Sequence, residues 1–189
     1  MRAQNAYRVR LGAAIVLATA ATASAFALAL SVSLPTAGWT TWAPVAAVPE
    51  GRAVQAASTS PADLEAVEAW TRRTLAVRPG EAAAWARLAW VAAERGDDAA
   101  ANAYLDRSYT TAPFGPDITA WRLRFAYGRW GRLTPDLRRQ ADAELRATRR
   151  TRWAVVEAAA ADVEDPAGRL AFTLAKQAED RAQQARDQG

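Results

Sequence analysis

The sequence predicts an all-α protein, with one N-terminal transmembrane helix followed by a short antiparallel helical array that ends in C-terminal capping helices. Three observations predict it. Apolar residues make up 51% of the 189-residue chain, and alanine dominates them; alanine is the strongest helix former because its side chain loses no rotamer freedom in a helix. The run from Leu11 to Leu34 carries no charged residue. Beyond residue 60, proline, glycine and capping residues punctuate the chain at helix-length intervals.

The apolar run LGAAIVLATAATASAFALALSVSL would be about 36 Å long as a helix, enough to cross a bilayer core of about 30 Å. Arg2, Arg8 and Arg10 precede it, and the first basic residue after it is Arg52. The positive-inside rule then makes residues 1–10 a cytoplasmic tail, 11–34 the transmembrane helix, and the rest periplasmic, in a single-pass inner-membrane protein. Trp39 and Trp42 follow the run where indole rings would sit at headgroup level. The competing reading is a cleaved signal peptide, since Ala23-Ser24-Ala25 fits the small-residue cleavage pattern; cleavage there would leave FALALSVSLP as an exposed apolar end. Residues 35–60, with Pro35, Pro44, Pro49 and a Ser-Thr-Ser stretch, read as an extended linker.

The helical domain is expected over residues 61–185. Ser60 offers an N-cap, Pro61 suits the first helical position and Asp63 complements the dipole, giving a helix of about 63–77 stopped by Pro79-Gly80. The segment EAAAWARLAWVAAER follows and ends at Gly96, a left-handed C-cap. A third helix runs from Asp97 or Asp98 to about Thr111, before Pro113. Further helices are expected from Pro116 to Trp130, from Thr134-Pro135 to about Arg149, from about Arg152 to Ala161, and from Asp165-Pro166 to about Gln184. Leu170, Leu174 and Ala178 give the last of these an apolar stripe for packing, and its tail QAEDRAQQARDQG is polar all round.

Trp85, Leu88, Ala89, Gly96, Ala101, Ser108 and Pro113 fall at the landmark positions of a helix-turn-helix unit of about 34 residues, and the segment resembles a tetratricopeptide repeat. Val67, Thr74 and Leu75 stand where the second half of a preceding unit would place them. After Pro113 the register slips by one, and Ala120, Leu123, Tyr127 and Gly131 match a further unit starting at Asp117. The helix from Thr134 lacks the small residues such a unit expects. The resemblance covers residues 63–133 and implies a TPR-like fold used for protein binding. It further implies that the first helix of each unit lines a groove, here through Ala83, Ala86, Trp90, Ala93 and Glu94, then through Ile118, Trp121, Phe125, Gly128 and Arg129. A looser resemblance links WRLRFAYGRWGRLTPDLRRQADAEL to accessory proteins of bacterial exopolysaccharide biosynthesis, which implies a part in cell-envelope or polysaccharide assembly.

Two surfaces are candidates for function. Trp90, Trp121 and Phe125 beside Arg129 form an aromatic stripe. As a groove it would anchor a partner, because aromatic residues and arginine dominate binding hot spots; as core it would be buried by the C-terminal helices folding back. Arg138, Arg139, Arg146, Arg149 and Arg150 share one helical face. That face would meet lipid headgroups or acidic polysaccharide, or it is a solvated face partly neutralised by Asp142 and Glu144. The expected partners are other membrane or periplasmic proteins, with no nucleic acid.

The chain has neither cysteine nor histidine, which removes disulfides, thiolate nucleophiles, histidine-based triads and nearly every zinc or haem site. No cofactor and no metal site is expected, and no enzymatic activity. Two alternatives stand beside the interaction module. One is a wall or polysaccharide hydrolase using a carboxylate pair from Glu157, Asp162, Glu164 and Asp165, which also read as capping and dipole charges. The other is a structural subunit whose transmembrane helix packs in a larger membrane complex.

Overall fold

A computed structural model describes residues 47–188. The expected cytoplasmic tail, the transmembrane helix at 11–34 and the first part of the linker lie outside those residues. Among the described residues no helix is long and apolar enough to cross a membrane.

Seven α-helices and one 3-10 turn order the described residues, with no strand among them: α1 (Ala47–Ala57), α2 (Leu64–Val77), α3 (Ala82–Glu94), α4 (Asp98–Thr111), α5 (Thr119–Gly128), the turn Trp130–Arg132, α6 (Pro135–Ala161) and α7 (Pro166–Asp187). The described residues are all-α, and most boundaries follow local chemistry. Asp97 accepts the Ala100 N–H at 2.9 Å, Thr134 the Leu137 N–H at 3.3 Å and Asp165 the Gly168 N–H at 2.7 Å. Pro135 and Pro166 open α6 and α7 where a missing N–H loses no bond. Gly96 ends α3 at φ +78°, and the Asp97 N–H closes the turn onto the Ala92 carbonyl at 2.9 Å.

Three local expectations are corrected. Residues 47–57, read as part of an extended linker, form α1. Val48 and Ala53 are buried as it packs along α2, and Glu50 accepts two hydrogen bonds from Arg87 of α3 at 3.1 and 2.5 Å. Pro49 sits in the first turn, where N–H groups have no helical partner. Because α1 must reverse into α2, residues 58–63 are used in the turn, and Asp63 rather than Ser60 caps α2, accepting the Ala66 N–H at 3.0 Å. In α7, Leu170 and Leu174 are 62% and 52% exposed and Ala178 is exposed too. The stripe that packs runs instead through Gly168, Phe172, Ala175 and Glu179.

Gly168 explains that rotation of α7. A Cβ at this position would lie 1.7 Å from the Tyr127 carbonyl oxygen, so only glycine lets the start of α7 press against the end of α5. One turn later Phe172 meets the Tyr127 ring, with centroids 4.5 Å apart.

Consecutive helices pair as hairpins: α1 with α2, α3 with α4, α5 with α6. In the α3–α4 hairpin the Ser108 hydroxyl donates to the Ala82 carbonyl at 2.7 Å, joining the end of α4 to the start of α3, and Trp85 stacks on Tyr104. The largest core lies further along, where Leu105, Leu123, Tyr127, Leu137, Leu145 and Phe172 are buried together. α6 runs through to Ala161 with a kink at Arg152 (φ −142°, ψ 55°), the place where the sequence separates two helices. The Arg152 guanidinium donates to the Pro116 carbonyl at 2.9 Å, which pins the kink to the segment before α5.

Candidate functional site

α3 and α5 stand side by side with an open groove between them. Ala57, Ala83, Ala86, Arg87, Trp90, Ile118 and Trp121 line it, around a volume of about 300 Å³. Five of these, Ala83, Ala86 and Trp90 on α3 with Ile118 at the N-cap of α5 and Trp121 on it, are residues read from the sequence as groove-lining. Trp121 stacks on Phe125 with centroids 4.7 Å apart and planes 15° from parallel. Both rings, like Trp90, are half-buried. Phe125 and Trp121 rest one side on the main core, and the groove takes the rest of the indole.

The C-terminal helices do not close over this stripe. α6 and α7 bury Leu123, Ala126 and Tyr127, on the other face of α5. Arg129 lies at the far end, its guanidinium over the Phe125 ring and bonded to Asp98 at 2.5 Å, and it does not line the groove. Ala93 is buried between the helices, Glu94 and Gly128 are exposed, and none of the three reaches the cavity.

The seat of α5 on α4 is set by Arg122, which is fully buried. Its guanidinium donates to the Ser108 carbonyl at 2.5 Å and the Ala112 carbonyl at 2.7 Å. These are carbonyls at the end of α4, where a cation meets the negative end of the helix dipole. It also lies over the Tyr109 ring at 4.6 Å and faces Glu144 of α6 at 3.4 Å. Glu144 Oε1 accepts the Thr119 hydroxyl at 2.8 Å. Burial raises the Glu144 pKa and lowers that of Arg122, each toward the neutral form, and their mutual attraction opposes both shifts. Burial and the Glu144 charge together push the Tyr109 hydroxyl well up. Removing one partner of a buried pair typically costs about 3–5 kcal/mol, so the seat of α5 against α6, and with it the groove wall that α5 provides, is strongly specified. Arg122 was not singled out from the sequence. It is one of several arginines in WRLRFAYGRWGR, and its only signal is its place one residue before Leu123 and three after Thr119, on the buried side.

The five arginines of α6 do not act as one face. Arg138 donates to the Trp130 carbonyl at 3.0 Å and covers its ring. Arg139 pairs with Asp136 one turn away. Arg149 bridges Glu157 at 2.9 Å and Asp180 at 2.8 Å, and Arg150 lies 3.6 Å from Glu179. Arg146 is exposed. Most of the positive charge is thus matched by carboxylates of α6 and α7.

The acidic set is dispersed in the same way. Glu157 is held by Lys176 and Arg149, and the Lys176 hydrogen bond leads in drawing its pKa below the ordinary carboxylate value, opposite to the shift a general acid requires. Asp162 pairs with Arg124 at 3.0 Å, and Asp165 caps α7. Among the described residues no group of three or more acidic side chains is placed to hold a metal ion.

The fold and this site define, among the described residues, an all-helical array of paired helices with an open, aromatic-walled groove between α3 and α5. Comparisons with protein families, with curated proteins and with solved structures find no match to the chain.

Proposed function

We propose that the protein is a membrane-anchored, tetratricopeptide-like interaction module that receives an apolar segment of a partner protein in the groove between α3 and α5. The observation that carries the reading is the alignment of Trp90 and Trp121 across a floor of alanines. Rigid aromatic walls over a small-residue floor provide a pocket for an apolar anchor at little conformational cost. The repeat pattern supports it, because equivalent positions of two successive units contribute to one cavity. The uncharged run Leu11–Leu34 with its one-sided arginines supports an inner-membrane anchor with the domain in the periplasm, where the module would serve cell-envelope or polysaccharide assembly.

A photo-crosslinking amino acid placed at Ala83 in the full chain, activated in intact membranes, tests this. The expected result is a discrete crosslinked product that is lost in a Trp121→Ala background of unchanged helicity. The chain should also stay with the membrane fraction after an alkaline wash. A product that persists with Trp121→Ala, or a crosslink equally strong from Arg139, an exposed position outside the groove, would sink the groove reading; release by the wash would sink the anchor.

A further inference from the structure

We propose that the cleft between the second half of α6 and α7 is a separate binding site, for a neutral saccharide. Arg149, Arg150, Trp153, Glu157, Glu179, Asp180 and Gln183 line it, around about 490 Å³, inside the range of roughly 300–1,000 Å³ typical of small-ligand sites. It shares no residue with the α3–α5 groove and rests on no part of the groove reading.

Three features choose the ligand. Trp153 is 66% exposed and is the one apolar side chain of a lining that is otherwise polar, so the cleft offers a single flat platform and no continuous apolar surface. That suits one ring better than a peptide's apolar side chains, which need contiguous area. Each carboxylate is already matched: Glu157 by Arg149 and Lys176, Asp180 by Arg149, Glu179 by Arg150 and Arg186. Four cations, Arg149, Arg150, Lys176 and Arg186, share these three carboxylates, so the cleft is close to neutral, with a single positive charge in excess and no strong field to draw an ionic ligand. The matched groups nevertheless keep hydrogen-bonding capacity, since a carboxylate has about four acceptor positions and a guanidinium five donors. A pyranose is made for this combination. One face of its ring carries C–H bonds that meet the electron-rich face of an indole, and its rim carries hydroxyls that both donate and accept.

The platform is also held in place. The kink at Arg152 directly precedes Trp153, and its bond to the Pro116 carbonyl fixes where the second half of α6 begins. Arg149 on one side of the kink reaches both Glu157 on the other side and Asp180 on α7, so the polar rim is braced across all three segments. Bracing of this kind lowers the ordering cost of binding.

The test is calorimetric titration of the full chain in detergent micelles with neutral hexaoses of glucose, galactose, mannose and N-acetylglucosamine, and with hexagalacturonate as the anionic counterpart. We expect at least one neutral hexaose to bind, Trp153→Ala to weaken it about tenfold or more, equal to about 1.4 kcal/mol, and Trp153→Phe to weaken it less. Because Trp153 is largely exposed, both variants should melt like the parent. The proposal is overturned if no neutral hexaose binds, if affinity survives Trp153→Ala, if Trp121→Ala abolishes binding instead, or if hexagalacturonate binds more tightly than the galactose hexamer in a salt-sensitive manner.

Discussion

Gly168 and Arg122 are the two residues on which the packing turns, and they work by opposite means. Gly168 acts by what it lacks. With the Tyr127 carbonyl 1.7 Å from where a Cβ would be, Gly168→Ala must push α7 off α5, and overpacking of this severity costs about 3 kcal/mol or more. Chemical denaturation should show a lowered midpoint for Gly168→Ala, while Ala167→Gly, at an exposed neighbour, should stay within about 1 kcal/mol of the parent. Neither residue was legible as special. A glycine three positions after an N-cap aspartate reads as an ordinary weak helix former, and a single sequence carries no signal of another helix's carbonyl approaching it. Arg122 is hidden because arginines on either side of it are exposed or half-exposed. Trp153 was equally unread, at the junction between the polar stretch 146–152 and the apolar residues 154–156, where no periodicity gives it a face.

Elements were legible where their ends are chemical and illegible where they depend on a neighbour. Thr134 and Asp165 cap as the sequence predicts, Asp97 is the member of the Asp97–Asp98 pair that caps α4, Gly96 closes α3, and the break near Arg152 is present as a kink. All of these are decided within a few residues. α1 is not: its residues carry Pro49, Gly51 and little apolar period, and what makes it a helix is burial of Val48 and Ala53 and the reach of Arg87 to Glu50. The α7 stripe failed for the same reason, since two exposed leucines at helical spacing outcompete on paper a glycine and a phenylalanine whose partner is Tyr127. Because α1 depends on tertiary contact, Ala53→Asp should detach it alone. Hydrogen exchange is expected to show lost protection at 50–57 and retained protection through α3 to α6; loss across the whole molecule would mean that α1 is integral to the core.

At the scale of the whole molecule the stability should respond to pH in two opposed ways. Glu144 has its pKa raised above 4.5 by burial, so its contribution is fully present below about pH 4.5 and is lost as pH rises through the folded value. Glu68, held by Arg72 and Arg95, and Glu157, held by Lys176 and Arg149, have theirs lowered, so their contributions are present above pH 4.5 and lost as it falls. Melting temperatures of Glu144→Gln followed by circular dichroism from about pH 3 to 8 should decline less than the parent's above 4.5, while the acid-side fall remains. A parent and variant with parallel profiles above 4.5 would show that Glu144 does not titrate differently on folding. The overall helical architecture was legible from alanine content and punctuation, and so were five of the groove's lining residues. Whether the aromatic stripe would be covered was not, because that depends on which face of α5 the last two helices choose.

The alanine floor of the groove has one more consequence. Ala57, Ala83 and Ala86 have no side-chain torsions to freeze, so a guest settling there asks almost no entropy of its host. The ordering must then come from the guest, and stiffness in the guest becomes the variable that sets how long it stays. A short preformed helix or a proline-stiffened segment should hold this surface longer than a flexible chain with the same side chains.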